Sequence, residues 1–436
     1  MKRSLFALLL LALAGLTAPA HAQERAHVFR GATLYPISSA PIENGVLVVQ
    51  GGKIVGVGAA GAVQLPADAV VHDLAGKAIM PGLVDTHSHI GGGDGGDRSS
   101  AIHPAVRILD AIDARDDGIH RARAGGITTV NVMPGSGHLM SGQTAYLKLR
   151  EGSTIYDLLL CTDVQQQICG GMKMANGTNP QRDPPFPGTR AKAAAMIRER
   201  LVKAQEYRDK VRGARGDSTK LPARDLELEA LAEVLDGKRT VHQHTHRHDD
   251  ILTALRLQQE FGYRMVLHHV SDAWKVAEQI AAADVPSSII VIDSPGGKLE
   301  AMDVSMANGA ALERAGAPVA FHTDDGVTDS RWFLRSAGLG VRAGMSRDKA
   351  LEAMTLAGAR MLDLQDRVGS LERGKDADFI VLSGDPLSVY TRVEQTWIEG
   401  NKVFDFADER DRAYAVGGFG VYRNHLHAHH GEEDHE

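Results

Sequence analysis

Short apolar and β-branched runs, broken by glycine, mark both ends of this chain. Longer blocks of alternating apolar strands and helical stretches fill its middle. Near the start, Gly45-Val46-Leu47-Val48-Val49 and Lys53-Ile54-Val55-Gly56-Val57 read as strands. The same texture returns in Asp378-Phe379-Ile380-Val381-Leu382 and in Gln395-Thr396-Trp397-Ile398. Two distant β-rich segments, residues 23–80 and 365–424, predict one small β-sandwich domain built from both chain ends.

The middle, residues 81–364, changes period repeatedly. Strands are expected at Gly126 to Val132, Thr240 to His244, Arg264 to His269, Ser288 to Ile292 and Pro318 to Thr323. Helices are expected over Thr189 to Val211 and Leu226 to Leu235, both rich in strong helix formers. Strand–helix alternation implies a parallel sheet, because parallel strands need a long crossover. The fold class predicted is therefore α/β, a (β/α)8 TIM-type barrel, and the length suits it. Two stretches break the alternation. Asn179 to Thr189 carries four prolines and reads as a loop, and Gly213 to Arg224 is polar and charged, a surface excursion.

The extremities are of another kind. Residues 1–22 have the pattern of a secretory signal: Lys2 and Arg3, an apolar run from Leu5 to Leu16, then Ala20-His21-Ala22 with small residues before Gln23. That run is short of the roughly 20 residues a membrane span needs, so stable membrane insertion after cleavage is not expected. A periplasmic or secreted location is. Residues 425–436 hold five histidines and several acids and read as a solvated, disordered tail. Net charge is −7, with no long basic stretch, which argues against nucleic acid as a partner. Export permits a disulfide between Cys161 and Cys169. Two cysteines are too few to frame so large a chain and do not form a Cys-x-x-Cys pair, so a bond between them is not the expectation.

Chemistry concentrates at strand ends. In Pro81-Gly82-Leu83-Val84-Asp85-Thr86-His87-Ser88-His89 an apolar run leads into two histidines one residue apart. Side chains alternate along a strand, so His87 and His89 face one way and can share a metal ion. Gly91 to Gly96 follows as a loop. Further histidines and acids end later strands: His242, His244 and His246, then His268 and His269, then Asp324 and Asp325. A barrel brings all strand C-termini to one face. Imidazoles and a carboxylate gathered there suit a zinc-type divalent ion. His242, His244 and His246 could share a face. His268 and His269 should point to opposite faces, so only one is expected to reach the ion.

These segments, in this order, resemble the imidazolonepropionase-like and prolidase-like members of the amidohydrolase superfamily. Pro81 to His89 is similar to the first-strand signature, and Ala124 to Val130 to the lead into the second strand. Lys173 with Ala175-Asn176-Gly177-Thr178-Asn179-Pro180 resembles the lysine strand and its turn. His244 with Asp249-Asp250-Ile251, His269 and Asp324 are similar to the fifth-, sixth- and eighth-strand positions, and Gly374 to Leu382 to the return into the β domain. The likeness spans residues 27 to 405.

The resemblance implies a metal set of His87, His89, Lys173, His244, His269 and Asp324. It implies one or two divalent ions, zinc foremost, and, if there are two, a bridging carbamate formed on Lys173 from carbon dioxide. Asp324 would be the catalytic acid–base group. The activity implied is hydrolysis of an amide, peptide-like or cyclic amide bond in a small molecule such as a dipeptide, an N-acyl amino acid or a lactam. A substrate carboxylate would need a cation such as Arg247 or Arg331, and homo-oligomerisation is left open. Two rivals remain: a mononuclear deaminase on the same barrel, and a non-catalytic periplasmic metal-binding protein that uses the tail. No Gly-x-Ser-x-Gly elbow and no Walker loop is present, which weakens serine-hydrolase and NTPase readings.

Overall fold

A computed structural model describes residues 25–93, 96–291, 298–418 and 421. The expected leader (residues 1–22) and the His-rich tail (residues 425–436) lie outside the described residues. Among the described residues no helix is long and apolar enough to cross a membrane.

The chain ends do meet. Strands His27–Leu34, Ile42–Gln50, Lys53–Ala59, Val70–Asp73 and Ala78–Pro81 join Phe379–Leu382, Val393–Ile398 and Asn401–Asp405 in one eight-stranded sheet. The seam is an antiparallel pair with Ile380 opposite Met80. A single hydrogen-bonded sheet thus stands where a sandwich was expected. It branches at His27–Leu34, whose first half pairs Val70–Asp73 and whose end pairs Ala78–Pro81. The register slips between Arg30 and Ala32. Gly31 there has φ +85°, a conformation that lets the strand bulge and change partner. Phe379 stacks on Trp397 at 5.6 Å, with Phe29 edge-on to Trp397 at 5.1 Å, so aromatic packing fills the sheet's core.

The middle contains parallel strands β1 (Leu83–Ser88), β2 (Ile127–Val132), β3 (Met172–Ala175), β4 (Val241–Thr245), β5 (Met265–His269), β6 (Ser287–Ile289) and β7 (Val319–Phe321). β1 pairs β2, and β3 to β7 pair in chain order, all parallel. The expected closed ring is instead two arcs. Between them, Met140–Gln143 runs antiparallel to β3 and Ala145–Lys148 antiparallel to β2, so no parallel strand spans the gap. At the other side, the Asp324 N–H donates to the His87 carbonyl at 2.9 Å and ties β7 to β1.

The helices end where local chemistry says they should. Thr189 accepts from the Lys192 N–H and starts Arg190–Gly213, and Asp225 accepts from Glu227 and Leu228 to start Leu226–Leu235. His248–Phe261 stops at Gly262, in the left-handed region at φ +71°.

Cys161 and Cys169 are bonded, with Cα atoms 5.2 Å apart, which corrects the expectation of two separate thiols. The cause is tertiary. Tyr146 donates to the Cys169 carbonyl and accepts from the Leu160 N–H, so one strand residue draws both segments together.

An ion network joins the barrel to the terminal sheet. Lys148, fully buried, contacts Asp376, and also Asp378 and Glu399, both at 3.0 Å. Arg150 pairs with Glu399 at 2.7 Å and Arg367 with Asp376 at 2.9 Å.

Candidate metal centre

β1 is buried along its whole length, and alternation turns Asp85 and His87 to the same side. His89 lies just past the strand end. Its Nδ1 sits 2.8 Å from the Met133 carbonyl, which fixes the ring and leaves Nε2 facing inward. The Nε2 atoms of His87 and His89 are 3.3 Å apart. Asp324 Oδ1 lies 3.0 Å from His89 Nε2 and 3.4 Å from His87 Nε2. The donor atoms of these three residues are all within 4.8 Å of one another.

Lys173, on β3 and fully buried, holds its Nζ 3.0 Å from His87 Nε2 and 3.1 Å from Met133 Sδ. His269 Nδ1 stands 3.9 Å from Asp324 Oδ2. The structure therefore gathers His87, His89, Lys173, His269 and Asp324 around one point. His244 is one ring further out, 4.4 Å from His269 between ring centroids, and a donor atom of it lies within 4.8 Å of donors of His246 and Glu300.

The backbone is unusual where these groups leave their strands. His269 has φ +69° and Asp324 φ +48°, left-handed values that cost energy for any residue with a Cβ. Asp85 holds the second of these turns. It accepts from the Thr323 N–H at 3.0 Å, the Thr323 hydroxyl at 2.5 Å and the His87 N–H at 3.2 Å. Sequence reasoning missed Asp85, although an acid inside an apolar strand two residues before His87 was a usable sign. Asp325 turns away, to the Ser330 N–H at 3.1 Å.

A second layer of imidazoles lies beneath. His242 Nδ1 is 3.0 Å from His268 Nε2, and its Nε2 is 2.9 Å from the Tyr146 hydroxyl. His322 is 2.7 Å from Ser288 and 3.3 Å from His269. His87, His268 and His322 also form a close donor group. His268 and His269 were expected to face opposite ways, yet both rings lie against His87, at 5.0 and 4.9 Å between centroids. The turn at His269 breaks the strict alternation of an extended strand, and both rings face the centre. Arg247 and Arg331 are each forked onto a neighbouring acid, Asp249 and Asp329.

Burial sets the electrostatics. It carries His87, His244, His268 and His269 well below the usual imidazole range, with nearby Lys173 acting in the same direction on each. His242, His246 and His322 are lowered to about 3, again chiefly by burial. These rings are neutral at pH 7, the form that donates a lone pair to a metal. Burial raises the Asp324 carboxyl, but the hydrogen bond and charge from His89 overcome it and hold the group below the ordinary range. Asp85 is pushed up to about 7 by burial, opposed by its Thr323 hydrogen bonds. His87 Nδ1 and His269 Nε2 are buried without a hydrogen-bond partner. Neutral imidazoles and an ionised carboxylate, with His87 Nε2, His89 Nε2 and Asp324 Oδ1 close together, form a donor set that fits a divalent ion of the zinc class.

The model of the amidohydrolase family matches residues 78–404. The chain belongs to that family, and with it to the hydrolases that act on carbon–nitrogen bonds. Among relatives of this amidohydrolase, the imidazolonepropionase of Deinococcus radiodurans is 28% identical over 415 residues, covering 88% of this chain and 91% of that protein. The amidohydrolase tasK of Hapsidospora irregularis is 27% identical over 378 residues, which are 79% of this chain but only 38% of that protein. The solved amidohydrolase of Thermotoga maritima MSB8 superposes with a TM-score of 0.81 at 33% identity, covering 87% of this chain and all of that one. The family's (β/α)8 architecture is the one into which the two arcs fit.

Proposed function

We propose that this chain is an exported, metal-dependent amidohydrolase that cleaves an amide, peptide-like or cyclic amide bond in a small molecule. One observation carries the reading: two imidazole nitrogens and the Asp324 carboxylate converge within 4.8 Å at the ends of β1 and β7, inside a family of carbon–nitrogen hydrolases. His87, His89 and Asp324 would hold a divalent ion, zinc foremost, with Lys173, His244 and His269 toward a second. When bound, such an ion supplies Lewis acidity, polarising a carbonyl and acidifying water. Lys173 would serve as a carbamate. A bare ammonium cannot ligate a cation, and a charged one is costly at a fully buried position among imidazoles.

Asp324 is the proton-handling group. Its carboxylate stays ionised at neutral pH, so an oxygen is ready to take a proton from the attacking water and pass it to the leaving amine. Asp85 and the Thr323 turn hold that carboxylate in place. His89 orients it from the opposite side. The substrate class proposed is dipeptides, N-acyl amino acids or lactams, in keeping with the imidazolonepropionase relative. Export is proposed from the leader pattern, and the Cys161–Cys169 disulfide is of a kind that persists in an oxidising compartment.

The test is the purified chain, assayed for metal and screened against those three classes. Activity should vanish on chelation and return with zinc, and Lys173→Ala should lose it. A chain that binds no divalent ion, or one in which Lys173→Ala keeps full activity, would overturn the ion-pair form of the proposal.

A further inference from the structure

Beneath the metal centre, a row of side chains leads away from it through the barrel. Tyr146 stands at its far end, on the strand Ala145–Lys148 outside the parallel wall. The Tyr146 hydroxyl lies 2.9 Å from His242 Nε2, and His242 Nδ1 lies 3.0 Å from His268 Nε2. The His268 ring is edge-on to His87 at 5.0 Å between centroids. A tyrosine that the proposed chemistry does not use is thus joined, through two rings, to a residue that would hold the ion.

Tyr146 also lines a cavity of about 360 Å³, together with Gly170 and Thr240, which precede β3 and β4, and with Cys161 and Cys169. The cavity lies at the N-terminal ends of those strands, away from the metal centre. The disulfide acts on Tyr146 through the backbone. The Tyr146 N–H donates to the Cys169 carbonyl at 2.8 Å, and its carbonyl accepts from the Leu160 N–H at 3.1 Å. One covalent link therefore closes both segments that fix the tyrosine. Burial raises the phenol above its ordinary range, so it keeps its hydrogen at pH 7. Neutral imidazoles carry one N–H each, and along a hydrogen-bonded row the choice at one end sets the choice at the other. The hydroxyl, which can give or accept, selects the nitrogen of His242, and then of His268, that holds hydrogen. A phenyl ring in its place would leave His242 Nε2 without that partner and free both rings to turn.

We propose that Tyr146 is a positioning residue for the metal centre, and that the Cys161–Cys169 bond holds it in place, so that metal affinity follows the redox state of the disulfide. The reductant is a small dithiol that enters the cavity. It passes two electrons and two protons to the sulfurs: the Cys161–Cys169 bond breaks, two thiols form on the chain, and the dithiol closes to a cyclic disulfide. With the link gone, the segments at Leu160 and Cys169 move independently and Tyr146 loses its fixed backbone. The assignment rests on the metal-hydrolase reading only for the ion that His87 helps to hold.

The experiment is zinc titration of the metal-free full chain by calorimetry, paired with the visible spectrum of the cobalt-loaded protein. Circular dichroism of each variant checks the fold. Tyr146→Phe keeps the ring and loses the hydroxyl. A direct partner of a metal ligand sets about 10–100-fold of affinity, so Tyr146, acting through two rings, should set roughly threefold to tenfold. The cobalt bands should shift as well, which a purely structural loss would leave in place. The Cys161→Ser, Cys169→Ser pair should act in the same direction. So should dithiothreitol treatment of the parent followed by removal of the reagent, and reoxidation should reverse it. On the Tyr146→Phe background the serine pair should change neither readout further. A folded Tyr146→Phe protein with zinc affinity within about twofold of the parent and an unchanged cobalt spectrum would overturn the positioning role. A serine pair that acts equally on both backgrounds would overturn the part given to the disulfide. The expected shifts in a chain that hydrolyses none of the amides would uphold the assignment and count against the function instead, whereas a parent that binds no zinc would overturn both.

Discussion

Two buried polar clusters sit in this molecule and are built on opposite plans. At the junction of barrel and terminal sheet, Lys148 is met by Asp376, Asp378 and Glu399; Glu399 is met in turn by Arg150 and Asp376 by Arg367. At the strand ends, His87, His244, His246, His269 and Glu300 retain buried donor atoms with no partner. The first cluster closes its own charge accounts and holds two parts of the fold together. The second leaves its valence open. Buried polar groups are normally satisfied, so the open cluster is the one shaped for something the chain does not itself supply.

The largest expected effect tests the open cluster. Asp324→Asn keeps the shape of the side chain but removes the base, and activity should fall ~10²–10⁴-fold. Thermal stability should hold or fall slightly, because the left-handed turn remains while the contact with His89 that favours the ionised carboxylate is weakened. Kinetics and a melting curve on one preparation decide it. A variant with near-parent turnover would remove Asp324 from the chemistry.

Next in size comes the closed cluster. Lys148→Met strips the central cation and leaves Asp376 and Asp378 facing each other. Breaking one partner out of a buried pair costs about 3–5 kcal/mol, and denaturant unfolding should read that loss. Metal content should stay at the parent value. If instead metal is lost while stability is kept, the division of labour between the clusters fails.

Much of this was legible in the sequence, and the rest was hidden for identifiable reasons. Apolar runs such as Met265-Val266-Leu267 gave the strands, because burial on both faces leaves a continuous pattern. His87 and His89 were legible because alternation is a local property. The inward turn of both His268 and His269 was not, since it depends on a left-handed residue at the strand end. The Cys161–Cys169 bond depends on Tyr146, and the gap in the parallel wall on the antiparallel strands Met140–Gln143 and Ala145–Lys148, both tertiary facts. Glu300 sits in a turn with no periodicity at all, and nothing local marks an acid whose partners lie on another strand.

The smallest effect is in the acid limb of stability. Lys148 and its neighbours overcome the upward push of burial on Asp376 and hold its carboxyl down at about 2; Glu399, bonded by Arg150 and Lys148 against the same push, is also held at about 2. In the unfolded chain these groups titrate near ~3.9 and ~4.3. A carboxylate with a depressed folded pKa stabilises fully above the unfolded value and loses that contribution as pH falls through the folded one. The network's share should therefore be intact at pH 5 and decline progressively from about pH 4 toward pH 2. Asp378, raised by burial, works in the opposite direction and keeps the net loss small. The imidazoles have their own window. Their folded pKa values lie below the ordinary one, so the metal-free protein should start to lose stability nearer pH 6.5, as the unfolded chain takes up protons that the folded one refuses. Melting temperatures of the metal-free protein across pH 7 to 3 should show both limbs, with Lys148→Met flattening only the lower. If Lys148→Met flattens the upper limb instead, the two clusters are coupled rather than separate.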